Sequence, residues 1–168
     1  MSTASFAITR TLRAPRALVW RCLSERDHFV KWWGPTSHAT SALRFEFRPG
    51  GICQYSMSAG GEAMWGRFLY LEVDAPQRLV FINAFSDAGG ALHRAPWEPR
   101  WPLEMHNTLT LEESGGETTV HLVVRPVGDD EAEATVFREG IPDMQVGFGQ
   151  TFDQLSALLA TLQEGGSA

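Results

Sequence analysis

The sequence has 168 residues, with 20 acidic and 14 basic side chains and a formal net charge of −6. A chain of this length forms one domain, here residues 1–168 with a core over about residues 6–163, and needs no disulfide or structural metal. The excess of acidic over basic residues and the presence of only one lysine argue against a nucleic-acid partner. Because no leader or long apolar run is present, we expect no membrane span and a cytoplasmic location.

The first predicted elements are a strand and two short helices. Pro15 suits the first turn of a helix, and Asp27 is placed to cap a second helix that ends at Gly34-Pro35. The apolar positions of the first helix recur at one-face spacing: Leu18, Val19, Cys22 and Leu23.

The middle of the chain alternates with the period of β-strands, and glycine pairs mark the turns of an antiparallel meander. The strand faces that we predict to be buried consist of four sets of residues: Leu43, Phe45 and Phe47; Cys53, Tyr55 and Met57; Leu79, Phe81, Asn83 and Phe85; and Val120, Leu122 and Val124. Residues 63–73 are apolar on both faces. We predict that the Phe68 face points inward and that Trp65, Leu69 and Leu71 point outward.

The longest predicted element is a helix from Asp143 to Leu162. Its apolar stripe consists of Met144, Phe148, Phe152, Leu155, Leu159 and Leu162. A sheet rich in large aromatic residues must be covered, and only this helix is long enough to cover it. We therefore predict an α+β fold in which a curved antiparallel sheet of about six strands wraps around the terminal helix.

Two features indicate space beneath the terminal helix. Gly147 and Gly149 interrupt its middle, and each costs about 1 kcal/mol relative to alanine, so either close packing or room for a ligand is needed to explain them. Asn83 and Asn107 fall on the apolar registers of their strands, where a buried amide needs partners. A pocket, a backbone hydrogen bond or a buried water would each supply those partners.

The segment from Ser86 to Pro102 is unusually long for a loop. It combines three prolines with Trp97, Trp101 and two arginines, and loops of this length are typically lids or disordered. It is either a lid-like cover over an opening or an extended hairpin packed on the surface. For Trp32-Trp33 we favour core packing at a helix end over a binding role.

No standard catalytic motif is present in the sequence. The five histidines are dispersed, so no metal site is predicted, and no cofactor is expected either. Cys22 and Cys53 lie on separate predicted elements and suit small apolar core positions.

The motifs together resemble the SRPBCC superfamily and, more narrowly, its bacterial single-domain proteins named after the activator of the heat-shock-protein ATPase (AHSA-like). The residues that carry the resemblance are Ile8-Thr9-Arg10, Ala14-Pro15, Val19-Trp20, Trp32-Trp33-Gly34-Pro35, Arg48-Pro49-Gly50-Gly51, Tyr55-Ser56-Met57, Trp65-Gly66-Arg67-Phe68, Pro76-Gln77-Arg78-Leu79, Gly147-Phe148 and Asp153-Gln154-Leu155. The resemblance implies a helix-grip fold with a cavity that binds apolar or aromatic molecules in many relatives. Fold alone does not fix chemistry, because the superfamily also includes cyclases and oxygenase subunits.

Three functions therefore stay open. The first is binding of an apolar or aromatic molecule between the helix and the sheet, with contacts expected from Phe68, Tyr70, Phe81, Asn83, Phe85, Trp101, Met105, Asn107, Phe148 and Phe152. The second is a cyclase- or dehydratase-like enzyme, for which His106, Glu104 and His93 are candidate proton-transfer groups. The third is protein interaction, as a homodimer or with a chaperone, through the face formed by Trp65, Leu69 and Leu71.

Overall fold

The structure, a computed structural model, describes residues 4–34 and 38–165. These described residues form four helices: α1 Arg16–Ser24, α2 Arg26–Trp32, α3 Glu131–Glu139 and α4 Ile141–Gly165. The strands are β1 Phe6–Leu12, β2 Ala39–Phe45, β3 Ile52–Ala59, β4 Glu62–Asp74, β5 Arg78–Ser86, β6 Leu92–His93, β7 Met105–Ser114 and β8 Glu117–Pro126.

All strand pairs are antiparallel and form one curved, unclosed sheet in the order β1-β8-β7-β5-β4-β3-β2, with β6 added to β5. Apolar residues of the concave face pack against α4, with α1 and α2 at one side. This is the predicted α+β helix-grip arrangement. The strand count exceeds the predicted six because β1 pairs with β8 at the sheet edge and β6 is a separate two-residue strand.

The predicted strand faces are correct on β3, β4, β5 and β8. Phe68 and Tyr70 are buried on the concave side of β4, whereas Leu71 is exposed. On β2 the prediction for Leu43 is wrong, since its side chain is 55% exposed. The pairing of β2 with β3 shifts register between Ala42 and Arg44, so a bulge breaks the two-residue alternation and Ala42 points inward instead.

The start of α2 also differs from the prediction. Asp27 lies in the first helical turn and does not cap it, because only Glu25 separates α1 from α2 and Glu25 occupies the N-cap position. The helix ends at Trp32, before Gly34, and the predicted stop at Pro35 lies outside the described residues. Asp27 still favours the helix through its charge near the positive end of the dipole.

The sequence prediction missed α3 altogether. Its N-cap is Asp130, whose side chain accepts a hydrogen bond from the backbone N–H of Glu133, and Gly140 stands at its C-terminal end. Only Ala134 and Phe137 of this helix are buried, so it adds few residues to the core.

The apolar stripe of α4 packs as predicted, but the two halves of the helix differ. In the second half Phe152, Leu155 and Leu159 are all buried. The space between Phe152 and the aromatic and aliphatic side chains of the sheet and α2 is only about 10 Å³. The first half, around Met144 and Phe148, stands over an opening. Within residues 4–34 and 38–165, no helix is both long and apolar enough to cross a membrane.

A polar latch holds the middle of α4 against the end of α2. The backbone carbonyl of Gly34 accepts hydrogen bonds from Gln154 Nε2 at 2.6 Å and Thr151 Oγ1 at 3.3 Å, and Gln154 also donates to the Trp32 carbonyl. Gly34 has φ +108°, and a Cβ there would lie 2.9 Å from Thr40 Oγ1. Glycine is therefore required at the latch.

Candidate functional site

A pocket of about 280 Å³ opens between the first half of α4 and the sheet. It extends from the ends of β3, β4, β5 and β7 to the segment of residues 86–102, called the strap below. Its lining comprises Trp33, Gly34, Tyr55, Met57, Met64, Asn83, Ala84, Phe85, Trp97, Trp101, Met105, Val124, Met144, Gly147, Phe148 and Thr151. None of these described lining residues carries a charged or imidazole side chain.

Methionine is concentrated in this lining. The sequence has five methionines, and the four after Met1 all line the pocket: Met57, Met64, Met105 and Met144. They come from three strands and from α4, so they surround the space from several sides. Thioether side chains are flexible and polarizable, and they adapt to ligands of different shape.

Gly147 and Gly149 lie on opposite flanks of Phe148 in α4. A Cβ at Gly147 or at Gly149 would meet nothing within 4 Å, so close helix–sheet packing does not explain either residue. Gly147 lines the pocket, whereas the Gly149 carbonyl accepts a hydrogen bond from Arg10 on β1. Arg10 also forms an ion pair with Asp153, which fixes the outer side of α4.

Trp33 and Tyr55 form the wall nearest α2. The Trp33 ring meets Phe68 edge-on at 5.0 Å and Phe148 at 6.1 Å. Burial raises the pKa of the Tyr55 phenol, and a hydrogen bond with Trp33 opposes that shift. Tyr55 therefore stays neutral. Gly66 makes room for its ring, because a Cβ there would lie 2.6 Å from Tyr55.

Two amides are joined at the floor of the pocket. Asn107, which is 1% exposed, donates from Nδ2 to Asn83 Oδ1 at 2.6 Å and to the Met105 carbonyl at 3.1 Å. Asn83 lines the pocket and Asn107 does not. The buried amide nitrogen of Asn107 thus has its hydrogen-bond partners within the protein.

The strap is tied down at both ends. Its first part crosses to the convex side of the sheet, where Gln54 and Arg67 donate to the carbonyls of Ala88 and Gly90. Its second part reaches α3, where Arg94 forms an ion pair with Glu133 at 2.6 Å and also donates to the Trp101 carbonyl.

Two tryptophans bring the strap to the pocket. Trp101 stacks on Phe137 of α3 at 5.7 Å and fills the space beside Gly140, where a Cβ would lie 2.7 Å from its ring. Trp97 is 61% exposed and meets Phe85 edge-on at 5.0 Å. The segment therefore packs on the surface of the protein, and two of its residues also line the pocket.

The residues expected to contact a ligand divide into two groups. Asn83, Phe85, Trp101, Met105 and Phe148 line the pocket. The other five lie away from it: Phe68, Tyr70, Phe81 and Phe152 in the closed aromatic core, and Asn107 behind Asn83. In the closed core, Phe68 and Phe81 stack with ring centroids 4.4 Å apart.

The candidate proton-transfer groups lie outside the pocket lining. Burial lowers the pKa of His106, whose backbone is paired with Ile82 and Arg125. His93, on β6, is exposed, and its Nδ1 contacts the Arg94 carbonyl at 2.8 Å. Among the described residues, no group of three or more His, Cys, Asp or Glu side chains is arranged to hold a metal ion.

Sequence reasoning named Met105 but missed Trp33, Tyr55 and the other three methionines as pocket residues. Trp32 is a core residue, as favoured, and its Nε1 donates to the Cys22 carbonyl at 2.8 Å. Trp33 follows the end of α2, so its side chain turns toward the pocket. The detectable signal was the methionine composition, because four such residues fall on predicted inward faces or near the strap.

The sequence matches the family described as "Activator of Hsp90 ATPase homolog 1-like protein" over residues 13–160. The chain belongs to this family. No protein with a curated function matches it.

Solved structures of bacterial proteins share the fold. Protein Ms6760 from Mycobacterium smegmatis is 25% identical, with a TM-score of 0.74 and coverage of 95% of this chain and 96% of that one. A protein from Arthrobacter aurescens, solved by NMR, is 24% identical, with a TM-score of 0.79 and coverage of 96% and 92%. A Staphylococcus epidermidis protein is 25% identical, with a TM-score of 0.74 and coverage of 96% and 92%. The strands, the two short helices and α4 are thus the family's fold.

Proposed function

We propose that this protein binds an apolar or aromatic small molecule in the pocket between the first half of α4 and the sheet. The observation that carries the proposal is the contrast between the two halves of α4. In the second half Phe152, Leu155 and Leu159 are buried and the space beside Phe152 is about 10 Å³, whereas the first half leaves about 280 Å³ lined mainly by methionine and aromatic side chains. That volume is at the small end of the range for ligand sites, and its apolar lining is typical of them.

The strap supports this proposal. The strap is attached both to the sheet and to α3. Such attachment on two sides suits a segment that forms a pocket wall and keeps water away from an apolar ligand. The attachment through Arg94 and Trp101 places the strap against the pocket, while the exposed Trp97 stands at its rim. Access therefore passes beside Trp97.

Binding explains the lining better than the two alternatives do. The enzyme proposal depends on His106, Glu104 or His93, and none of them lines the pocket. The interaction proposal depends on the outer face of β4, which the strap partly covers through the Arg67 to Gly90 hydrogen bond. A homodimer remains a separate prediction, which sedimentation at high protein concentration tests.

The test is titration with two naphthalene derivatives, 2-isopropylnaphthalene and 2-acetylnaphthalene. Three tryptophans line the pocket, so a bound naphthalene should change the intrinsic fluorescence in a saturable way. Calorimetry should give a stoichiometry of one, and the melting temperature should rise by mass action. The absence of saturable binding by either compound up to its solubility limit would contradict the proposal.

A further inference from the structure

The hydrogen bonds around Asn83 fix which way its amide faces. Asn107 Nδ2 contacts two groups, the Met105 carbonyl and the Asn83 side chain. A backbone carbonyl only accepts, so the Asn107 atom between them must be the nitrogen. The Asn83 atom that meets this nitrogen is therefore its oxygen, and the NH₂ group of Asn83 is turned elsewhere.

That NH₂ group is an available donor in the pocket. Asn83 lines the pocket while its hydrogen-bonded partner Asn107 lies behind it. Within the described residues, the NH₂ group has no acceptor of its own. The side chain thus presents two N–H bonds to a space that is otherwise methionine, aromatic and aliphatic.

A second unpaired donor belongs to another residue of the lining. Trp101 lines the pocket and is 8% exposed, and its indole N–H has no hydrogen-bond partner among the described residues. Indole nitrogen can only donate, and an unpaired buried donor in a native protein calls for an acceptor such as a ligand or a water. Thr151, by contrast, already donates its hydroxyl hydrogen to the Gly34 carbonyl.

The charge of the pocket lining restricts the ligand further. Among the described lining residues there are free donors but no cationic side chain, and the nearby Arg94 is paired with Glu133. An anion would lose its hydration without gaining a counter-ion, whereas a neutral acceptor loses little. Building on the proposed function, we infer that the ligand is an uncharged aromatic molecule with a hydrogen-bond acceptor, such as a ketone oxygen, directed at Asn83.

The experiment compares matched ligands on wild type and on Asn83→Leu. The ligands are 2-acetylnaphthalene, its hydrocarbon analogue 2-isopropylnaphthalene and the anion 2-naphthoate. Asn83→Leu should weaken the ketone about three- to tenfold, as expected for one lost hydrogen bond, and should leave the hydrocarbon unchanged or tighter. Naphthoate should bind wild type more weakly than the ketone.

The control variant is Thr151→Val, in the same pocket, which should change the ketone and the hydrocarbon by the same factor. Circular dichroism establishes that each variant is folded. A measurement on wild type alone serves as well: the infrared carbonyl stretch of the bound ketone should lie at lower frequency than in hexane.

The outcomes separate the two proposals. If neither neutral compound binds wild type, the proposed function fails. If both bind, but Asn83→Leu alters them equally and the carbonyl stretch matches that in hexane, only the inference about the acceptor fails. Tighter binding of naphthoate than of the ketone would overturn the uncharged class.

Discussion

Filling the pocket from α4 tests whether the space at Gly147 exists for a ligand. The perturbation is Gly147→Leu, with Gly149→Leu as the matched control two residues away. At both positions a Cβ would meet nothing within 4 Å, so neither substitution is blocked by neighbouring atoms. Only Gly147 lines the pocket.

Both variants should gain about 0.8 kcal/mol in the free energy of unfolding, because leucine is a much better helix former than glycine. For a chain of this size that corresponds to a rise in melting temperature of roughly 2–3 °C. Their effects on binding should differ. Leucine at 147 places four carbon atoms in a space of about 280 Å³, and overpacking of this kind costs about 1–3 kcal/mol.

The assay is calorimetric titration with 2-acetylnaphthalene, alongside thermal unfolding of the free proteins. Gly147→Leu should bind about 5- to 150-fold more weakly than wild type, which is that energy expressed as an affinity ratio, while Gly149→Leu should bind as wild type does. Equal loss of affinity in both variants, or no loss in Gly147→Leu, would refute the reasoning.

Three other predictions concern the latch, the strap and the buried thiols. Gln154→Leu removes two hydrogen bonds to backbone carbonyls and should lower the free energy of unfolding by about 1–2 kcal/mol in urea denaturation; the exposed Gln150→Leu should not, and equal effects would contradict the latch. Glu133→Gln breaks the ion pair with Arg94 and should speed both proteolysis in the strap and ligand dissociation, while the free energy of unfolding changes by less than about 1 kcal/mol. Glu131→Gln is the control. Unchanged rates in Glu133→Gln would show that this ion pair does not hold the strap in place. Burial raises the pKa of Cys22 to about 11 and that of Cys53 to about 12, above the values in the unfolded chain. The two neutral thiols therefore stabilise the folded state fully below about pH 8.5, and this contribution to the free energy of unfolding is lost as the pH rises toward 11–12. The urea midpoint should therefore fall between pH 8 and pH 10.5, and native protein at pH 8 should resist Ellman's reagent; rapid labelling or a constant midpoint would disprove this.

The strand faces were predictable because a buried side chain every second residue leaves a direct trace in sequence. On β5, Leu79, Phe81, Asn83 and Phe85 share one side as that rule requires. The rule fails where the backbone departs from regular geometry, as at the bulge that exposes Leu43. A register shift depends on pairing with β3, and no local property of residues 42–48 indicates it.

The pocket was harder to locate than the face that contains it. Periodicity assigns Phe148 and Phe152 to the same side of α4, yet one lines the pocket and the other is packed in the closed core. Where the helix separates from the sheet depends on the strap and α3, which hold Trp101 in place. Those contacts join residues more than 30 positions apart, so they could not be inferred from spacing along the chain.

The most direct test of ligand binding uses the methionine methyl groups as reporters. With the methyl carbons labelled, two-dimensional NMR during titration with 2-acetylnaphthalene should show saturable shifts at Met57, Met64, Met105 and Met144, which line the pocket. Labelled methyl groups of Leu155 and Leu159, in the closed core, should move little. Unchanged methionine signals, or larger shifts at those leucines, would contradict binding in this pocket.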